Sequence, residues 1–190
     1  MFTNSGPFGL DVPPKLLEPI VNRTEEAPAA MSELFGMYAG CAGPQLERIF
    51  QSMNIPQVLL RYLSSTADLP WPSEEMLARI VQFICLSITT QGSLRHVFYE
   101  AGLMRVLRQN LLLRDFHSDL FQELLGCTSR VVVDSVALHD ELLESPDVLA
   151  RLCNFVLDVK LSFYELSSCF GLLIAIAQTL PVHSNVRVVW

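Results

Sequence analysis

The feature that most constrains the fold is internal self-similarity. When Leu46–Leu63 is laid 48 positions ahead, Leu46 falls on Leu94, Ile49 on Val97, Phe50 on Phe98 and Asn54 on Gly102. The same shift brings Ile55 onto Leu103, Val58 onto Val106, Leu59 onto Leu107 and Leu63 onto Leu111. A further 45 positions carry Val97, Leu103, Leu107 and Leu111 onto Leu142, Val148, Leu152 and Val156. Between these segments, Met76, Leu77, Ile80 and Val81 fall on Leu120, Phe121, Leu124 and Leu125 at a shift of 44. Leu124, Leu125 and Gly126 then meet Cys169, Phe170 and Gly171 at 45. A unit that recurs at near-constant spacing cannot bury its apolar face alone and must stack on its neighbours, so the repeat sets the architecture.

The period inside each unit is helical. Met76, Leu77, Ile80, Val81 and Ile84 stand at i, i+1, i+4, i+5 and i+8, the spacing of one buried helical face. Ser73 supplies an N-cap, and Glu74 and Glu75 suit the positive end of the helix dipole. Each unit reads as a short helix, a tight break, a second amphipathic helix and a longer third helix. Asn54, Gly102 and the Ser145-Pro146 pair mark the breaks, and Asn and Gly tolerate the left-handed backbone that ends a helix. Val131, Val132 and Val133 are β-branched, but helical pattern flanks them. The class expected is all-α. Residues 1–26, with Pro7, Pro13, Pro14 and Pro19, read as an N-terminal arm, either extended or forming a partial cap with a short turn at 15–21. Residues 27–182 form the helical domain and 183–190 a tail. Leu77, Ile80, Phe98, Leu107, Leu124 and Leu152 are the expected core.

These residues resemble the armadillo family, with HEAT repeats as the close relative. The run Glu100-Ala101-Gly102-Leu103-Met104-Arg105-Val106-Leu107 looks like the turn and second helix of an armadillo repeat. The likeness covers roughly residues 28–182, with Leu34, Phe35 and Tyr38 on a leading third helix. It implies a right-handed superhelix of about three stacked repeats, armadillo-like, whose third helices line a concave face that binds peptides, helices or domains without catalysis. Importin-like members carry an Asn and Trp ladder on those helices. Here the third helices have neither, so the resemblance does not extend to a nuclear-import receptor.

Charge and motif content narrow the function. Lys plus Arg is 13 against 20 for Asp plus Glu, a net charge of −7, which argues against nucleic acid because phosphate neutralisation needs clustered cations. There is no HExxH, GxSxG, Walker or GxGxxG string, and His96, His117, His139 and His183 stand far apart. The chain is therefore read as no enzyme, with no cofactor and no metal. Cys41, Cys85, Cys127, Cys153 and Cys169 show no CxxC spacing and read as small buried hydrophobes in a reducing compartment. Residues 1–10 show no signal peptide, so the expected address is cytoplasmic or nuclear and the Asn22-Arg23-Thr24 sequon is uninformative. The stretch Leu166–Val186 lacks charge, but polar residues interrupt it. A span needs about 20 mostly apolar residues, so a buried third helix is the expectation and a membrane-associated tail the alternative.

The function expected is a protein-interaction module or adaptor that binds through the groove or the open C-terminal end. The alternative is an assembly subunit or a piece of a longer solenoid, self-associating through its last helix, since solenoids need polar caps. For the groove, the unit shifts place Glu75 on Asp119 and Tyr164, Arg79 on Glu123 and Ser168, and Gln82 on Gly126. Helical spacing puts Glu75, Arg79 and Gln82 on one stripe and Asp119 and Glu123 on the next. The partner-binding set is then Glu75, Arg79, Gln82, Asp119, Glu123 and Tyr164, and its acids favour a basic peptide or helix as partner.

Overall fold

The computed structural model describes residues 14–41, 43–64, 73–114, 118–134, 141–142, 145–157 and 162–179. All regular structure among them is helical. A 3-10 turn at Pro14–Leu16 leads into α1 (Glu18–Asn22) and α2 (Ala27–Gly40). Then a short–short–long order appears: α3 (Gly43–Ser52), α4 (Ile55–Leu63) and α5 (Glu74–Thr90). It recurs as α6 (Gly92–Glu100), α7 (Leu103–Leu113) and α8 (Asp119–Asp134). The last described pair is α9 (Pro146–Val156) and α10 (Phe163–Thr179).

The breaks form for the reasons given by their residues. Asn54 has φ 52° and Gly102 φ 89°, so the two aligned positions both turn the chain through the left-handed region between a first and a second helix. Any β-branched side chain there would be strained. Ser73 Oγ accepts from the Met76 backbone N–H at 3.3 Å and starts α5.

Helices pack against their counterparts in the next unit. α5 lies along α8, and α8 along α10; α4 meets α7, and α7 meets α9; α3 meets α6. α2 sits against α5 in the same way, with the Phe35 ring 4.8 Å from Phe83 and edge-on to it. Burial follows the sequence register. Leu46 and Leu94, Phe50 and Phe98, Ile55 and Leu103, and Leu59 and Leu107 are all fully buried. The six expected core residues, Leu77, Ile80, Phe98, Leu107, Leu124 and Leu152, are buried as well. Phe50 bridges Phe83 and Phe98 at 6.0 and 6.1 Å, tying α3 to α5 and α6.

Side chains from neighbouring elements close the carbonyl ends of the second helices. Asn110 Nδ2 of α7 donates to the Leu63 carbonyl at the end of α4 (3.1 Å), and Arg23 Nη2 donates to the Ser64 carbonyl (3.1 Å). Arg151 of α9 donates through Nε to the Leu111 carbonyl at 2.7 Å, and through Nη2 to the Arg114 carbonyl. Helix ends leave such carbonyls without intrahelical donors, so each bond satisfies a group that burial would otherwise penalise.

Of the two forms expected for the N-terminal arm, its described part takes the partial cap: Leu16, Leu17 and Ile20 are buried, and α1 packs on α2 and α4, because this amphipathic turn has an apolar face to hide. One expectation needs amending. The cysteines do not all behave as buried hydrophobes, since Cys153 is exposed and Cys41 only half-buried. Phe170 aligns with the buried Leu125, yet it is 47% exposed while Leu125 is covered. Leu125 lies in α8, which has α5 on one flank and α10 on the other, whereas α10 packs mainly on α8 and α9. Leu173 is partly buried against the core, and Ile174 is exposed.

Candidate functional site

A groove of about 640 Å³ runs between α5, α8 and α10. α5 contributes Glu74, Glu75, Gln82 and Cys85 to it; α8 contributes Asp119, Gln122, Glu123, Cys127 and Arg130; α10 contributes Ser168. These helices present the groove because their apolar stripes face inward at Met76, Leu77, Ile80, Leu120, Phe121 and Leu124, all buried. The residues between those stripes are left to form the opposite surface.

Four of the six residues expected at the site meet in this groove: Glu75, Gln82, Asp119 and Glu123. Arg79 stands outside the lining, exposed, with Nη2 3.2 Å from Glu75 Oε1. An exposed pair one turn apart is worth about 0.3–0.5 kcal/mol, so Arg79 trims the charge of Glu75 without fixing its position. Tyr164 lies in α10, but its side chain falls outside the described residues. Glu123 is more constrained than a plain surface acid: it is partly buried, and Gln82 Nε2 donates to its Oε1 at 2.8 Å.

Charge at the groove is lopsided. Among the described residues, the lining holds four carboxylates, Glu74, Glu75, Asp119 and Glu123, against the guanidinium of Arg130. A cleft with one dominant sign focuses the field and favours the opposite charge.

Three lining residues, Gln122, Cys85 and Cys127, are not among those expected at the site. Gln122 has both its amide Nε2 and Oε1 buried and without a hydrogen-bond partner among the described residues. Leaving a buried polar group unpaired costs about 1–3 kcal/mol, an expense that native cores avoid. Cys85 and Cys127 both line the groove at the α5–α8 seam, and Arg130 Nη1 donates to Cys85 Sγ at 2.7 Å. The Cys127 thiol, and then the Arg130 charge and hydrogen bond, pull Cys85 down to about 7 against the opposing pull of burial. The same pairing, with complete burial, pushes Cys127 up.

One signal could have found such pairs. Gln82 and Glu123 are 41 residues apart, and Cys85 and Arg130 are 45 apart, close to one repeat period. Side chains one period apart on stacked third helices become neighbours, so the period that defines the units also nominates contacts across their seam.

Comparison with protein-family models, with curated proteins and with solved structures returns no match. Among the described residues, no three His, Cys, Asp or Glu side chains are grouped to hold a metal ion, and no helix is long and apolar enough to cross a membrane.

Proposed function

We propose that this chain is a non-catalytic interaction module of armadillo-like build, a short right-handed solenoid of about three repeats. It takes an extended basic segment of a protein partner in the groove between α5, α8 and α10. The short–short–long helix order and the like-with-like stacking of α5, α8 and α10 support the solenoid. The observation that carries the binding role is Gln122, whose unpaired amide lies in the groove wall. One donor and one acceptor on a single side chain match the N–H and C=O of a peptide backbone, while the four acids attract its cationic side chains. Five free cysteines fit a reducing cytoplasmic or nuclear setting.

The test is a selection of random displayed peptides on the full chain. Basic peptides are expected, with affinity falling steeply as salt rises. The Asp119→Lys, Glu123→Lys double variant should lose them, while reversal of Glu26 and Glu33 on α2 and its leading turn should not. Enrichment of apolar or acidic peptides, or equal loss with both double variants, would sink the groove as the site.

A second reading has an observation of its own. Phe163, Phe170 and Ile174, at i, i+7 and i+11 of α10, are 89%, 47% and 52% exposed. Apolar residues gathered on one helical face mark interaction surfaces. On this reading the chain is an assembly subunit that self-associates through α10. Sedimentation equilibrium should then show a concentration-dependent mass that Phe170→Glu with Ile174→Glu returns to the monomer; a monomer at every concentration counts against it.

A further inference from the structure

The floor of the groove carries a thiol pair that peptide binding does not use. Cys85 of α5 is 6% exposed and Cys127 of α8 fully buried, so the ordinary expectation is two inert hydrophobes. One contact opposes that. The Arg130 guanidinium, itself exposed, turns inward from α8 to donate to the Cys85 sulfur at 2.7 Å, which sets Cys85 against the turn of α8 that carries Cys127. A guanidinium aimed at sulfur, with a second thiol one turn away on the same facing helix, supplies the parts of a reactive thiolate and a resolving partner. Both cysteines line the groove, which gives a molecule the size of hydrogen peroxide a route to them.

We propose that Cys85 and Cys127 form a redox pair in which a hydroperoxide oxidises Cys85 and Cys127 then closes a disulfide that staples α5 to α8. In the first step the Cys85 thiolate attacks one peroxide oxygen. The S–O bond forms, the O–O bond breaks, and hydroxide or alkoxide leaves; sulfur is oxidised by two electrons and the peroxide is reduced. In the second step Cys127 sulfur attacks the Cys85 sulfenic acid. The S–S bond forms, the S–O bond breaks, and the hydroxyl departs with the Cys127 proton as water. The balance is two thiols and one hydroperoxide to one disulfide, one alcohol or water, and one further water.

The surroundings assign the roles. Cys85 holds the negative charge because the Arg130 guanidinium donates to it and the neighbouring Cys127 thiol favours its ionised form. Cys127 stays protonated because it is fully buried and faces that charge. Glu123 opposes the thiolate on Cys85, and Arg130 outweighs it in direct contact. A third helix is thereby linked covalently to the next third helix at the base of the groove, so oxidation fixes the groove width whether or not a peptide occupies it.

The test treats the full chain with hydrogen peroxide at neutral pH, blocks remaining thiols by alkylation, and maps peptides by mass without reduction. Joined peptides containing Cys85 and Cys127 are expected, lighter by two hydrogens. Exposed Cys153 serves as the internal reference for non-selective oxidation. In Cys127→Ser, whose hydroxyl still donates, Cys85 should be trapped as sulfenic acid by dimedone. Arg130→Gln should slow Cys85 up to about fivefold near pH 7, where a rise of roughly one unit of thiol pKa takes the thiolate from about one-half to about one-tenth, and leave Cys153 unchanged. Oxidation of Cys153 while Cys85 and Cys127 stay reduced overturns the proposal, as does a Cys85 rate indifferent to Arg130. If Cys127→Ser fails to fold, the cross-link map of the unaltered chain decides alone.

Discussion

Gln82 Nε2 donates to Glu123 Oε1 at 2.8 Å across a separation of 41 residues, joining α5 to α8 at the rim of the groove. The bond restrains the Glu123 carboxylate. A positioned acid loses less side-chain entropy on binding than a mobile one. On the proposed peptide-binding function, Gln82→Ala should therefore weaken peptide affinity through Glu123, and unchanged affinity in that variant would remove the link.

The sharpest prediction concerns Gln122. Replacing a buried, unpaired amide by an apolar side chain of similar shape is near neutral or stabilising. Gln122→Leu should match or exceed the parent in thermal denaturation, by up to about 1 kcal/mol, while losing affinity for the selected peptides. A variant that is destabilised, or that binds as well as the parent, would show that the amide serves the fold.

Leu107 lies at the centre of α7 and is fully buried. Leu107→Ala should cost about 2–5 kcal/mol, read from the urea midpoint at unchanged slope. A shift below 1 kcal/mol, on the order of an exposed substitution, would reject the register that aligns Leu107 with Leu59 and Leu152.

Asn110 is buried and satisfied on both sides: it donates to the Leu63 and Val106 carbonyls, and its Oδ1 accepts from Arg114 Nε and Nη2. Asn110→Ala strips a partner from each of these groups. The expected loss is about 1–3 kcal/mol in chemical denaturation, with the α4 end losing amide-exchange protection before the α5 centre does.

Alkaline pH should weaken the fold. Burial pushes the Cys169 thiol up to about 12 and raises Tyr62 above the usual phenol value. Both groups are held neutral in the folded chain and ionise more readily when it opens. Their stabilisation is complete below the ordinary thiol value and is lost as pH climbs from there toward 12. Melting temperature should fall between about pH 9 and 11, with a shallower slope in Cys169→Ala. An identical slope in that variant would remove Cys169 as a cause.

Much of this was legible because stacked helices repeat their apolar stripes. Leu59 and Leu107, or Met76 and Leu120, announce the same buried position by sharing a phase, and Asn54 and Gly102 announce the same turn. The carbonyl caps were hidden for a physical reason. Asn110 aligns with Tyr62 and Phe155, and Arg151 with Val106, so the task recurs while the residue that performs it does not. Phe170 shares the apolar phase of Leu125, but periodicity reports an apolar residue and not the presence of a neighbour to cover it. Cys85 and Cys127 share no motif; only the packing of α5 on α8 brings them together.

The caps on α4 and α7 also differ in direction along the chain. Arg23 precedes α4, so when the chain emerges from the ribosome the donor for the Ser64 carbonyl has already been made. For α7 the matching donor is Arg151, synthesised 40 residues after the Leu111 carbonyl it closes. The first unit can seal its own end as it is produced, with Asn110 arriving later as reinforcement. The second must wait with its last turn open until α9 is translated, so the carbonyls of Leu111 and Arg114 stay without this donor in a growing chain for longer than that of Ser64.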